Sequence, residues 1–316
     1  MKKRCYIIRK IQREKRMAET LDELRKRIDE LDAKLVSLLN ERYKTVQKVG
    51  AFKRENAGAV YVPERERKVY EKVSRLNEGP MKDVTLFAIY REIMSGALAL
   101  EQGLRIAYFG SEGSFTHLAA VTKFGNSVLY RPEQSVKAIL EDVLSGRCDY
   151  GCIPEGVFLE GLDPDCLSYF GSGRVSLCAE IRGKSISVSD SASAFSRYFI
   201  VGSQSTGETG DDKTSLFFSL PDRPGALFDA LAPFKDEQTS LHIAGSCPAR
   251  GGKNLNVTEG EYFFLVDLAG HLKEEKVSRL LAKLREKTGL LVPLGSYPKG
   301  LVPSLEELAR ECKKSK

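Results

Sequence analysis

Between residues 20 and 55 apolar side chains return at steps of three and four: Leu21, Leu24, Ile28, Leu31, Leu35, Leu38, Tyr43, Val46, Val49 and Phe52. That period predicts one continuous helix with an apolar seam. At about 1.5 Å per residue the helix runs roughly 50 Å, more than one small domain can cover, so the seam calls for partner helices, including those of a second chain. Residues 62–77, with Pro63 suited to a first helical position, and residues 81–102 supply two more helices. The region reads as an all-helical unit of three.

On the long helix Arg42 and Lys53 are about three turns apart and nearly on one face, whereas Arg25 sits about 100° round and roughly 25 Å from Arg42. Arg25 can join the same site only from a second copy of the chain. The segments "LRKRIDELDAKLVSLLNERYKTVQKVGAFK", "VYVPERE" and "IYREIMSGALALE" together resemble the helical chorismate mutase family over residues 18–103. The resemblance implies two intertwined chains sharing each site. It assigns Arg25 of the partner chain and Arg42 to the substrate carboxylates with help from Arg65, Lys53 and Glu101 to the ether oxygen, and Glu66 to the ring hydroxyl. Those residue types suit the reaction, a pericyclic Claisen rearrangement that needs no nucleophile, metal or cofactor. A compact dianion suits the Arg fork, and charge building on the breaking C–O bond suits a fixed Lys53. Ala97 stands where the family often has Ser, and Glu101 where some members have Gln.

The formal charge of +6 comes from one place. Residues 1–17 hold eight Lys or Arg and one Glu, so 18–316 come to about −1, with no general basic character that would call for nucleic acid. That basic stretch reads as a disordered arm or as an extension ahead of a start at Met17. Seven cysteines without a CxxC pair and three scattered histidines predict a reduced, cytoplasmic protein without a metal. No run approaches the roughly 20 apolar residues of a membrane span.

From residue 105 the pattern changes. "LRIAYFG" reads as a strand, "SEGSFTHLAAVTKFG" as a turn and helix, "SVLY" as a strand, "SVKAILEDVLSG" as a helix and "CDYGCIP" as a strand, an alternation that predicts a parallel sheet. The stretch 104–202 resembles the first lobe of prephenate dehydratase. Mutase then dehydratase is the order of the bifunctional P-proteins of phenylalanine biosynthesis. Where that family has the polar loop Pro-Ile-Glu-Asn-Ser-Thr, this chain has Pro154, Glu155, Gly156, Val157, Phe158 and Leu159. The family's Thr-Arg-Phe motif is altered to Ser196, Arg197, Tyr198 and Phe199, and it arrives only about 35 residues after Leu162, too soon for a second lobe. Glu155, Ser196 and Arg197 are therefore expected to be vestiges of a lost dehydratase site, with the Ser-rich "RGKSISVSDSAS" bridging the deletion. The apolar triplet is expected to cover a sheet end or a partner surface.

Residues 203–213 read as a flexible linker, residues 214–300 as a ferredoxin-like βαββαβ unit and 301–316 as a tail. The βαββαβ unit resembles an ACT domain, the amino-acid-sensing module that ends P-proteins. Gly225, Ala226 and Leu227 keep the family's Gly-Ala-Leu turn, but the second ligand motif, Glu-Ser-Arg-Pro in the family, reads Gly245, Ser246, Cys247 and Pro248. A structural, dimer-forming role is favoured over a strong phenylalanine effector site. The resulting reading is a homodimeric chorismate mutase with an inactive dehydratase remnant. An active bifunctional enzyme and a non-catalytic pathway regulator are the alternatives.

Glu101 generates a test. A carboxyl can donate to the ether oxygen only when protonated, whereas an amide donates at any pH. Mutase activity should be greatest on the acid side of neutrality and fall as pH rises, and Glu101→Gln should hold its activity to higher pH. Superimposable pH–rate profiles would remove Glu101 from the ether oxygen.

Overall fold

A computed structural model of the chain describes residues 20–55, 62–101, 103–182, 187–188, 192–193, 197–248 and 261–299. The basic arm 1–17, Ser196 and the tail 301–316 lie outside the described residues. The chain divides into two compact units, residues 1–56 and 57–316.

In the first unit α1, Leu21–Glu55, is the single long helix that the periodicity predicts. Its start is a capping box: Thr20 N–H donates to the Glu23 carboxylate (2.8 Å), and Glu23 N–H donates back to Thr20 Oγ1 (3.3 Å). Most of the apolar seam is exposed, with Leu38 at 63% and Phe52 at 67%, while Tyr43 and Val46 are half-buried. Such a stripe needs a cover.

The second unit begins with α2, Pro63–Arg75, which has Pro63 at its first turn, and α3, Asp83–Glu101. Tyr70 and Phe87 hold the two together edge to face, ring centroids 5.0 Å apart. Next come β1 (Arg105–Phe109), α4 (Phe115–Phe124), β2 (Leu129–Glu133), α5 (Val136–Leu144) and β3 (Tyr150–Pro154). β1 pairs in parallel with both β2 and β3, as the alternation predicts. β2 starts two residues later than "SVLY" suggests.

Beyond β3 the structure departs from the sequence reading. The segment read as a loop is a helix, α6 (Glu155–Gly161), followed by α7 (Pro164–Gly171). Asp163 caps α7 by accepting from Cys166 N–H (2.7 Å), and Pro164 stands at its first position, a start signal visible in the sequence. A strand not expected there, β4 (Ser176–Arg182), forms next. Within the Ser-rich bridge β5 (Ser187–Val188) pairs with β6 (Ala192–Ser193). β7 (Arg197–Gly202) then inserts antiparallel between β3 and β4, giving the order β2-β1-β3-β7-β4.

The C-terminal part has the predicted order: β8 (Asp212–Pro221), α8 (Ala226–Asp236), β9 (Leu241–Pro248), β10 (Glu261–Ala269), α9 (Glu275–Arg285) and β11 (Leu291–Pro298). The four strands form an antiparallel sheet ordered β11-β8-β10-β9, the ferredoxin-like arrangement. Residues 203–211 correct the expectation of a flexible linker. Thr206 is buried and its hydroxyl donates to the Ser296 carbonyl, while Asp212 accepts from Thr209 N–H (2.7 Å) and Thr209 Oγ1 (2.6 Å). Its polar composition is spent on bonds to the sheet.

One apolar core joins the two sheets, with Ile153, Phe158, Phe199 and Leu177 on one side meeting Phe217, Leu265 and Leu294 on the other. Gly295 lets the backbones approach. It adopts φ +146°, and a Cβ there would lie 2.4 Å from the Leu177 carbonyl oxygen, so a side chain is excluded by both space and conformation.

Candidate functional site

Of the residues assigned to a mutase site, Arg25, Arg42 and Lys53 lie on α1, and Arg65, Glu66 and Glu101 on α2 and α3. Arg25 is exposed, 3.5 Å from Asp22 one turn away. Arg42 is half-buried, and its Nη1 is buried without a hydrogen-bond partner among the described residues. An orphaned buried guanidinium nitrogen is costly in a protein. An anionic oxygen is the partner it fits. Lys53 and Glu101 are half-buried, Arg65 is exposed, and Ala97 is buried in α3.

Glu66 makes a contact that sequence reading did not find. Its carboxylate accepts from Lys123 Nζ at 2.6 Å, with the two side chains only 10% and 9% exposed. Lys123 belongs to the last turn of α4, in the dehydratase-like lobe. The neighbouring turn is fixed to α3 by three donors: Arg91 Nη1 to the Thr122 carbonyl (3.4 Å), Asn126 N–H to Glu92 (3.1 Å) and Ser127 N–H to Ser95 Oγ (3.0 Å).

Of the residues expected to mark a dehydratase site, Glu155 is half-buried and Arg197 is enclosed by the chain's own groups. Arg197, 4% exposed, is surrounded by carboxylates: Nη1 to Glu155 (2.8 Å), Nε to Glu180 (2.7 Å) and Nη2 to Asp267 (2.6 Å). Nη2 also donates to the Tyr297 hydroxyl at 2.8 Å, and the guanidinium lies 4.4 Å from the Phe199 ring centroid. Lys213 bridges Glu180 and Asp267, and Ser215 Oγ donates to Asp267 at 2.6 Å. Burial pushes the Asp267 carboxyl up, but Arg197 and Lys213 outweigh it and hold the group below the usual carboxylate range. Burial pushes the Lys213 ammonium down, against the pull of Glu180. Phe158, fully buried, packs on Phe170 and Phe199, so the apolar triplet is core rather than ligand loop.

In the ferredoxin-like part Gly225 caps α8 in the left-handed region (φ +83°). Ala226 is buried, Leu227 half-buried, and Ser246 lies exposed on the edge strand β9. At Gly245 a Cβ would lie 2.8 Å from Leu159 Cδ2. Among the described residues no cluster of three His, Cys, Asp or Glu is placed to hold a metal ion, and no helix is long and apolar enough to cross a membrane. Burial pushes the Cys166 and Cys178 thiols up to about 12, which leaves them unreactive.

The chorismate mutase type II family model matches residues 24–102, and the prephenate dehydratase model matches residues 106–184. The bifunctional chorismate mutase/prephenate dehydratase of Aquifex aeolicus is 30% identical over 365 residues, covering 90% of this chain and 99% of its own. That of Pseudomonas aeruginosa is 29% identical, covering 90% of this chain and 99% of its own. The prephenate dehydratase structure from Streptococcus mutans is 28% identical, covers 61% of this chain and 97% of its own, and has a TM-score of 0.45. The Aquifex alignment uses 90% of a 316-residue chain, about 284 residues, over 365 positions. About 80 positions of that relative thus face a gap here.

The charge cluster predicts a pH-dependent stability difference. Arg197→Met takes one cation from Glu155, Glu180 and Asp267, leaving Lys213 on the last two and Arg182 on Glu180, and breaking a buried pair costs about 3–5 kcal/mol. A carboxyl whose folded value is depressed contributes stability that is present above its unfolded value, near 4, and lost as pH falls through the lower folded value. The melting temperature gap between wild type and Arg197→Met should therefore be full at pH 7 and shrink below about pH 4. An equal gap at pH 3 and pH 7 would mean that Arg197 is not held by carboxylates.

Proposed function

Because the chain belongs to the bifunctional chorismate mutase/prephenate dehydratase family, we propose that it rearranges chorismate to prephenate and that its dehydratase site no longer turns over. The observation that carries the mutase reading is Arg42, whose buried Nη1 has no partner among the described residues while its helix also carries Lys53. A dianionic substrate meets that need, and Lys53 supplies charge at the ether oxygen. Arg25 joins from a second copy of the chain, whose α1 covers the exposed apolar seam. Arg65 assists at a carboxylate, Glu66 accepts from the ring hydroxyl, and Glu101 donates to the ether oxygen. The site needs no cofactor, because the bonds that break and form do so in one cyclic electron shift.

The loss of dehydratase turnover rests on Arg197. In a working site a cation of this kind would have to reach a substrate carboxylate, yet here each of its nitrogens already meets a carboxylate of the chain. The ferredoxin-like unit acts as an ACT-type module that contributes to dimerisation. Phenylalanine binds it weakly or not at all, since Gly245 and Cys247 supply no charge for an amino acid ligand.

Purified protein given chorismate should accumulate prephenate without phenylpyruvate. Loss of chorismate followed by phenylpyruvate in step with enzyme concentration would overturn the dehydratase half, and no loss of chorismate would overturn the mutase half. The shared site makes a second prediction. Chains carrying Arg25→Ala or Lys53→Ala should each be inactive, and mixing them with subunit exchange should recover activity, since one site of the heterodimer lacks neither group. Exchange without recovery would place both residues in one chain's site.

A further inference from the structure

We propose that Lys123, on the dehydratase-like lobe, is a positioning residue for the mutase reaction, holding the Glu66 carboxylate in place to accept from the substrate's ring hydroxyl. The inference rests on the mutase reading above and extends it to a residue 57 positions further along the chain, outside the segment that matches the mutase family.

The geometry has three parts. The Nζ to Oε2 distance of 2.6 Å is that of a strong charge-assisted hydrogen bond. Both side chains are about nine-tenths buried, where a fixed partner matters more than on a solvated surface. The lobe is also anchored where Lys123 sits. Arg91, Glu92 and Ser95 of α3 bond the residues on either side of it, and a Cβ on Gly125 would meet Ser95 Cβ at 2.5 Å. Lys123 is thus presented from a turn locked to the mutase helices.

The same helix is held on another side. Arg67, next to Glu66, donates from Nη1 to the Asp211 carbonyl (3.0 Å) and from Nη2 to the Asp211 carboxylate (3.3 Å). Lobe and strap therefore grip adjacent residues of α2. A free carboxylate on a helix surface samples several rotamers, and each loses time from the one that meets the hydroxyl. Lys123 selects among them without touching the reacting bond.

An interaction with a hydroxyl that the reaction leaves intact is made equally in the ground and transition states, so its loss raises KM more than it lowers kcat. In the full-length protein Lys123→Met should raise KM for chorismate roughly tenfold, the scale of one charge-assisted hydrogen bond, with kcat within about twofold. Lys123→Arg should recover most of the loss. Unchanged KM in a folded Lys123→Met protein overturns the proposal, as does an equal rise in both variants. Loss of the buried ammonium beside Glu66 is able to unfold Lys123→Met, so the Glu66→Gln background provides a second comparison: there, adding Lys123→Met should leave KM as it is, and a further tenfold rise would mean that Lys123 acts elsewhere. Wild-type turnover is measured in parallel, so that a failure of the mutase reading is separated from a failure of this one.

Discussion

The guanidinium of Arg197 sits where two sheets meet, and the second compact unit is organised around it. Its three carboxylate partners come from three places: Glu155 from α6, Glu180 from β4 and Asp267 from β10. Buried charges are tolerated when paired and hydrogen-bonded, and are costly when a partner is removed. The cluster thereby makes the lobe and the ferredoxin-like sheet dependent on each other's presence. The apolar core running across the same boundary supplies the area, and the charges supply the register, since a shift of one residue would leave a carboxylate facing hydrocarbon.

The two segments that depart from the motifs they resemble lie against each other. The loop that resembles a dehydratase ligand loop gained Val157, Phe158 and Leu159, and the motif that resembles an ACT ligand strand has Gly245 and Cys247 in place of charged residues. Leu159 lies where a side chain on Gly245 would reach, and Cys247 packs on the same core as Val157. A Glu at position 245 would bring a carboxylate against Leu159, at the desolvation cost of an unpaired charge.

Much of this was legible in the sequence because it is local. The α1 seam, the β1-α4-β2-α5-β3 alternation and the βαββαβ order are all periodic signals within single segments. The capping box of Thr20 and Glu23 and the Asp163–Pro164 start of α7 are equally local, but neither entered the reading of the sequence. By contrast, α6 was hidden because Pro154, Glu155 and Gly156 carry turn propensity that the apolar contacts of Phe158 override. β4 (Ser176–Arg182) was hidden because it ends where the Ser-rich stretch begins, and the residues before that stretch were assigned no element. The bonding of residues 203–211 and the Lys123–Glu66 pair belong to another class. A Thr-rich stretch looks the same whether its hydroxyls meet water or Ser296, and no spacing rule connects residues 66 and 123.

That last pair gives the dehydratase-like lobe a part in holding the mutase helices. A helix gripped at Glu66 by Lys123 and at Arg67 by Asp211 has fewer rotations and slides available than one held by its apolar face alone. Van der Waals packing tolerates small translations, whereas two charge-assisted bonds at adjacent residues, pointing about 100° apart round the helix, fix both its rotation and its height. For a reaction that asks only for correct placement of charge around a compact dianion, fixing the helix that carries Arg65 and Glu66 contributes to substrate binding. The surface of the lobe thus acts on the mutase helices independently of any chemistry the lobe itself carries.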